Sequence, residues 1–145
     1  MILEALQADG RMSVADLGRK IHLSPPAIYQ RIKRLERAGM IKGYAALVDR
    51  EKAGYDVLCF IRLCLQPATL EQLTRFQEVV NTLPEVVECY HTAGSHQLLL
   101  KVVVRDHRAL DQLIKERLMT VPGVERIESS VVLSEIKATT TIALE

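Results

Sequence analysis

Apolar residues in the first third of the chain recur at helical spacing in three short segments. Within each segment most of them lie three or four positions apart, which places them on one face of an α-helix. The three apolar faces consist of Ile2, Leu3 and Leu6, then Val14, Leu17 and Ile21, then Ile28, Ile32 and Leu35. The pattern therefore predicts three short amphipathic helices.

The second and third predicted helices begin and end at residues that suit helix termini. Ser13 can cap the second helix, with Asp16 three positions later. Ser24 can cap the third helix, with Pro25 at its first position, and Gly39 can end it in a left-handed conformation. Two short helices joined by a tight turn predict a helix-turn-helix motif.

After residue 56 the pattern changes to runs of apolar and β-branched residues that alternate with amphipathic segments. We expect strands at 57–65, 86–92, 98–104 and 124–133, helices that start at Thr69 and Asp106, and a fifth strand at 137–144. The order β-α-β-β-α-β is that of a ferredoxin-like sandwich. A short internal repeat supports two equivalent halves, because 82–86 and 120–124 both read Thr-apolar-Pro-x-Val.

These patterns predict an α+β fold with two domains. A winged-type helix-turn-helix domain over residues 1–44 comes first, and a linker strand over 45–56 follows it. A ferredoxin-like βαββαβ sandwich domain then occupies 57–145. The charged stretch 49–52 and the glycine after it mark the linker.

Basic residues are concentrated in the first domain. The whole chain has a formal net charge of +1, but residues 1–56 hold ten Lys/Arg against seven Asp/Glu, and residues 57–145 hold nine against eleven. At about 100° per residue, the basic residues of the third helix lie opposite its apolar stripe, as in a helix that enters the major groove. Gln30 suits an adenine edge, and Arg31 or Arg34 a guanine edge. We expect DNA contacts from Ser24, Pro26, Tyr29, Gln30, Arg31, Lys33, Arg34 and Arg37.

Composition argues against several other classes of protein. Apolar residues make up 48% of the chain, which favours a packed core over disorder. The chain has an odd number of cysteines, which argues against a disulfide framework, and all of them lie in apolar runs. We therefore interpret Cys59, Cys64 and Cys89 as buried small side chains. The N-terminal residues are amphipathic, and no window approaches the ~18 apolar residues of a membrane span. We therefore expect a cytoplasmic protein without a membrane segment.

Enzyme and metal motifs are not found in the sequence. Cys89, His91 and His96 come nearest to a metal cluster, but nothing in the sequence completes a tetrahedral zinc set. The chain has no Gly-rich phosphate loop, no Gly-x-Ser-x-Gly elbow and no His-Glu-x-x-His helix. We expect no metal, no cofactor and no catalytic residues.

The two domains in this order carry a family signature. Its most specific parts are 11–20, 23–26 and 31–44. With them the chain resembles, over essentially its whole length, the leucine-responsive regulatory protein/AsnC (Lrp/AsnC) family of prokaryotic transcription regulators. The resemblance implies sequence-specific binding to double-stranded DNA. It also implies homodimers that pack into larger homo-oligomers, often octamers, and a small effector, commonly an amino acid, bound between subunits.

The resemblance places the effector near the turn between the second and third predicted strands, 86–92 and 98–104. The family often has Gly-Asp or Gly-Glu, an aromatic residue and then Asp there, whereas this turn offers only neutral hydrogen bonds from Ser95 and Gln97. Serines on or beside the fourth strand lie where relatives have hydroxyl residues. The expected effector-binding residues are Gly94, Ser95, His96, Gln97, Ser129, Ser130 and Ser134. A plain β-turn without a ligand is the alternative. The first helix is also shorter than is usual in the family.

Two other functions deserve comparison with a regulator. Siroheme decarboxylases are similar to this family in architecture, and His91 and His96 are the only basis here for a tetrapyrrole enzyme. Such enzymes carry Asn/Trp-containing motifs on the central strands, and this chain has no Trp. A sensor or assembly protein without DNA binding is the other alternative, and the basic face of the third helix argues against it.

Overall fold

Three helices occupy the start of the chain: α1 (Ile2–Ala8), α2 (Val14–Ile21) and α3 (Pro25–Arg37). The structure is a computed structural model that describes residues 1–144. Ser13 Oγ accepts from the backbone N–H of Asp16 at 3.1 Å, and Ser24 Oγ accepts from Ala27 N–H at 3.4 Å. Both predicted N-caps therefore form, and they fix where α2 and α3 begin.

The three helices share a small apolar core. Ala5, Leu17 and Ile28 are buried at its centre, one from each helix. Partly buried neighbours pack around them: five come from the predicted stripes (Ile2, Leu6, Val14, Ile21 and Ile32), and Met12 and Leu23 come from the connections between the helices. The apolar faces expected from the sequence are thus the faces that meet.

The turn between α2 and α3 is unusually close. His22 caps α2 in a left-handed conformation with φ of 58°, and the carbonyl of Gly18 accepts from the N–H groups of both His22 and Leu23. A Cβ atom at Gly18 would lie 2.6 Å from the backbone oxygen of Leu23. Only glycine allows this approach, which sets the path by which α3 leaves α2.

A four-stranded antiparallel sheet dominates the rest of the described chain. Its strands are β1 (Val57–Leu65), β2 (Val86–His91), β3 (Leu98–Val104) and β4 (Val124–Val131), in the order β2-β3-β1-β4. Helix α4 (Leu70–Val80) connects β1 to β2, and α5 (His107–Gln112) continues into a π-helical stretch, Leu113–Leu118, before β4. Thr69 and Asp106 cap the two helices as expected. This is the predicted βαββαβ arrangement, and the α+β fold class is confirmed.

The helices cover one face of the sheet. Alternate residues of β1 and β3 point into this core, together with the apolar sides of the helices. The fully or nearly fully buried members are Cys59, Ile61, Leu63, Phe76, Leu100, Val102 and Leu118. We call the opposite, helix-free side of the sheet the open face; β1 contributes Leu58, Phe60, Arg62 and Cys64 to it.

Two predicted strands do not form. The structure has no strand between residues 42 and 56, where a linker strand was expected over 45–56, and none over 137–144. A strand is stable only when another strand pairs with it. Within the described chain neither segment has such a partner, and Leu47 of the first remains 82% exposed and Ile142 of the second 66% exposed. The apolar residues of these segments misled the sequence interpretation.

The chain divides into two compact units, which differ from the expected boundaries at the C-terminal end. One unit comprises Met1–Leu47 together with the terminal segment from Ile136 onward, and the other comprises Val48–Glu135. Gln7 explains the first grouping, because its side-chain amide donates to the carbonyl of Ile142 at 3.0 Å and accepts from the N–H of Ile142 at 2.8 Å. The last residues therefore belong with the helices, not with the sheet.

None of the helices described in residues 1–144 is long and apolar enough to cross a membrane.

Replacing Gly18 by alanine tests the close turn. Alanine is the better helix former by about 1 kcal/mol, but its methyl group would push against a backbone oxygen. We expect Gly18→Ala to lower the free energy of unfolding of the first unit by roughly 1–3 kcal/mol, as overpacking does. Urea unfolding followed by circular dichroism measures this. Gly43→Ala is the matched control, because no atom lies within 4 Å of its Cβ position. A stabilised Gly18→Ala protein would show that the turn is not constrained.

Candidate DNA-binding helix and ligand-binding turn

The outer face of α3 presents a cluster of unengaged arginines. Ile28 and its neighbours hold one side of the helix in the core, which turns Arg31, Arg34 and Arg37 to solvent. Within residues 1–144 none of these three side chains makes an ion pair or a side-chain hydrogen bond. Ser24, Pro26, Tyr29 and Gln30 are exposed beside them. The side chains expected to contact DNA therefore share one accessible surface.

Lys33 differs from the arginines because it is already paired. Its Nζ lies 2.8 Å from Glu36 Oε2 and 5.6 Å from the centroid of the Tyr29 ring. The Lys33 ammonium lowers the pKa of Glu36, and the Glu36 carboxylate raises the pKa of Lys33. Tyr44 adds a hydroxyl donor to Glu36 at 3.3 Å, and burial raises the pKa of Tyr44. Half-buried Lys33 is thus less available to a phosphate than the sequence implied.

A second constellation forms around the turn between β2 and β3. The turn is closed by Thr92, whose N–H donates to Gln97 O at 2.6 Å and whose hydroxyl donates to His96 O at 2.9 Å. Ser95 Oγ lies 3.2 Å from His96 Nδ1. Gly94 has φ of 121°, a conformation that suits glycine. Gly94, Ser95, His96 and Gln97 are therefore held in one defined loop.

Two side chains fasten this turn to the end of β1. Gln97 Oε1 accepts from the buried backbone N–H of Leu65 at 2.9 Å. The thiol of Cys64 donates to Ser95 O with a sulfur–oxygen distance of 2.8 Å. Because β1 is an inner strand, paired with β3 and β4, these two bonds tie the turn to the interior of the sheet.

Glu128 of β4 lies close to the turn. The sequence interpretation missed this residue. Its Oε2 lies 3.8 Å from His96 Nε2. In the register of the sheet Glu128 stands opposite Arg62, so both side chains lie on the open face. Strand alternation alone would have placed Glu128 on that face, but it does not reveal which turn residue comes near.

The three serines do not join the turn within one chain. Ser129 stands opposite Ile61 and Ser130 opposite Phe60, so they point to opposite faces of the sheet. Ile61 and Leu65 are four residues apart, about 13 Å along a strand. Ser134 follows the end of β4 and lies still further along. A site that uses both the turn and these serines would need residues from a second copy.

The residues considered for metal binding also separate. Cys89 and His91 pair with Leu100 and Leu98, which places them on the helix-covered side of the sheet, whereas His96 is next to Glu128. Cys59 and Cys64 are buried as expected, whereas Cys89 is exposed at the edge strand β2, so its interpretation as a buried side chain is wrong. Within residues 1–144, no group of three His, Cys, Asp or Glu side chains is arranged to hold a metal ion.

Comparison with known protein families identifies the domain type of each of the two parts of the chain. Residues 1–36 match the model of the AsnC-type helix-turn-helix domain, and residues 58–142 match that of the Lrp/AsnC ligand binding domain. A helix-turn-helix joined to a ligand-binding α+β domain defines a class of transcription regulators. The chain belongs to the Lrp/AsnC family of DNA-binding transcriptional regulators.

Relatives match over nearly the whole chain. The transcriptional regulator AzlB of Bacillus subtilis is 36% identical over 144 residues, covering 99% of this chain and 92% of that protein. The leucine-responsive regulatory protein of Escherichia coli is 34% identical and covers 99% of this chain and 88% of its own length. A solved transcriptional regulator of Neisseria meningitidis in complex with L-Met has a TM-score of 0.93 and 34% identity, covering 98% of this chain and 92% of that one.

Gln97 provides a test of how the turn is held. Gln97→Ala would leave the buried N–H of Leu65 without its acceptor, which costs about 1–3 kcal/mol. We expect the free energy of unfolding of the second unit to fall by that amount in a urea titration. Gln97→Glu keeps an acceptor oxygen at the same position and serves as the control. Equal stability of the alanine and glutamate variants would contradict the importance of this bond.

Proposed function

We propose that the chain acts in the cytoplasm as a homodimer or larger homo-oligomer that places α3 in the major groove of double-stranded DNA. The observation that carries the proposal is the set of exposed, unpaired arginines opposite the buried side of α3. Arginine can neutralise phosphates and bind guanine edges through two donors. The protein would act by binding, without catalysis.

The open face of the sheet supports self-association. Phe60 and Val103 are only partly buried on this face, and Leu99 lies beside Arg62. A twofold contact between two such faces would cover apolar surface that a single chain leaves accessible. The unpaired apolar residues Leu47 and Leu133 offer further surface for a second copy. In a symmetric dimer, two α3 helices would contact half-sites about one helical turn apart, ~34 Å.

The turn that contains Gly94–Gln97 is the proposed effector site. It is exposed, yet it is fixed to the central strand through Cys64 and Gln97. The Neisseria meningitidis relative is described in complex with L-Met, which supports an amino acid as the effector class. Ser129, Ser130 and Ser134 of a second copy are candidates for the other side of the site. Coupling of ~1–3 kcal/mol between effector and DNA would suffice for regulation.

Replacing the unpaired arginines tests the proposed DNA contact. We expect the double variant Arg31→Ala/Arg34→Ala to lose about 1–3 kcal/mol of binding free energy for each contact that reads a base. Loss of phosphate contacts would also make the salt dependence shallower. Fluorescence anisotropy with DNA from upstream of the protein's own gene, across a salt series, measures both effects.

A charge-matched control separates a specific contact from the loss of two positive charges. Arg75→Ala/Lys115→Ala removes two exposed cations from the second unit, where they pair with Glu71 and Asp111. This variant is expected to bind DNA like the wild type. Wild-type affinity of the Arg31→Ala/Arg34→Ala protein would show that α3 is not the reading element.

A further inference from the structure

The chain passes between its two compact units twice. It leaves the first unit after Leu47 and returns to it after Glu135, because the segment from Ile136 onward belongs with the N-terminal helices. Two covalent connections therefore join the units. Domains that share one flexible connection move relative to each other by default, and a second connection restricts that motion when both of its ends are held.

The second connection is held to the sheet unit by one ion pair. Leu133 and Ile136, which follow the end of β4, are 98% and 99% exposed. Within the described chain, residues 133–136 make a single hydrogen bond, in which Glu135 Oε1 accepts from Arg50 Nε at 3.3 Å. Arg50 belongs to the first connection, so this pair ties the two connections together where they leave the unit.

Arg50 is a firm support for this contact. Its Nη1 donates to the carbonyl of Tyr55 at 2.9 Å, and its own carbonyl accepts from the N–H of Tyr55 at 2.8 Å. Its Nη2 lies 3.3 Å from Glu51 Oε1. The guanidinium of Arg105, just after β3, lies 5.1 Å from the centroid of the Tyr55 ring. The turn that carries Arg50 is thus fastened to the end of the sheet, and the Arg50 side chain is only 21% exposed.

The far end of the second connection is held by α1. The side-chain amide of Gln7 donates to the carbonyl of Ile142 at 3.0 Å and accepts from its N–H at 2.8 Å. We call residues 135–142 the tether. It is fastened to one unit through Arg50 and to the other through Gln7.

We propose that the tether fixes the separation of the two reading helices in a dimer and so makes DNA binding selective for one spacing of the half-sites. The inference rests on the proposed function, which gives the chain a dimer that binds DNA through α3. Two linked binding modules gain from each other only when their geometry lets both engage at once. A reading unit on one flexible connection would accept several spacings, whereas a tethered unit accepts few. Arg50 and Gln7 are positioning residues, because they act through the tether.

Duplexes that differ in half-site spacing test this role. The three probes are the site that the wild type selects from random duplexes, the same site with ~5 base pairs inserted between its halves, and one half-site alone. The insertion turns the second half-site by about half a helical turn. Fluorescence anisotropy with the full chain gives a Kd for each probe. The ratio of the Kd for the inserted site to the Kd for the selected site is the spacing preference.

The variant Glu135→Ala releases the tether from Arg50. An exposed ion pair contributes a factor of about two to five in an equilibrium constant, and a dimer has two such pairs. We therefore expect the spacing preference to fall by roughly four- to 25-fold, with no change in the Kd for the single half-site. Gln7→Ala releases the other end of the tether and is expected to lower the preference in the same way.

Glu51→Ala is the matched control, since it removes a carboxylate that lies equally far from Arg50 but is not part of the tether; it should keep the wild-type preference. An unchanged preference in Glu135→Ala or in Gln7→Ala would overturn the inference and leave DNA binding by α3 in place. A preference lowered as much by Glu51→Ala, or an equal loss of affinity for the half-site and the selected site, would also overturn it. If the wild type binds no DNA, the proposed function and this inference are both wrong.

Discussion

The inner strand β1 is the element on which the second unit depends. It pairs with β3 on one side and β4 on the other, and its residues Cys59, Ile61 and Leu63 are completely buried under the helices. Burial of a side chain such as Ile61 or Leu63 contributes about 1.5–3 kcal/mol, so this strand cannot shift its register without losing much of the core. The turn between β2 and β3 is fastened to the end of this strand. A ligand at the turn would therefore lie next to β1, to which the turn is hydrogen-bonded, and a second copy on the open face would contact the same strand.

The first unit is also held together by its buried residues, but its core contains far fewer of them. Leu17 and Ile28 hold α2 and α3 together, and the close approach of Gly18 to Leu23 fixes the turn between them. Because the core is small, most of the surface of α3 stays outside it, and its arginines remain accessible. DNA recognition needs this arrangement, since a reading helix must be firmly positioned by one face while the other face stays free.

Local patterns predicted most of the fold, and contacts between distant residues account for what they missed. Helix caps at Ser13, Ser24, Thr69 and Asp106 follow from short-range chemistry, and each forms as expected. The linker and terminal segments look like strands in the sequence, but strand formation depends on a partner that a single chain does not supply. Pairing of Lys33 with Glu36 was open to prediction, because the two residues lie three positions apart on one helix. The approach of Glu128 to His96 depends on the register of β1 with β4, which no local pattern encodes.

The central claim is that two copies of α3 read DNA as a symmetric pair. Selection of binding sites from a pool of random duplexes by the purified full chain tests it most directly, because it requires no knowledge of the natural target. The account predicts an enriched, roughly palindromic motif whose half-sites are centred about 10 base pairs apart, or a multiple of that spacing. Retention of DNA without any enriched sequence, or enrichment of a motif with no twofold symmetry, would contradict it.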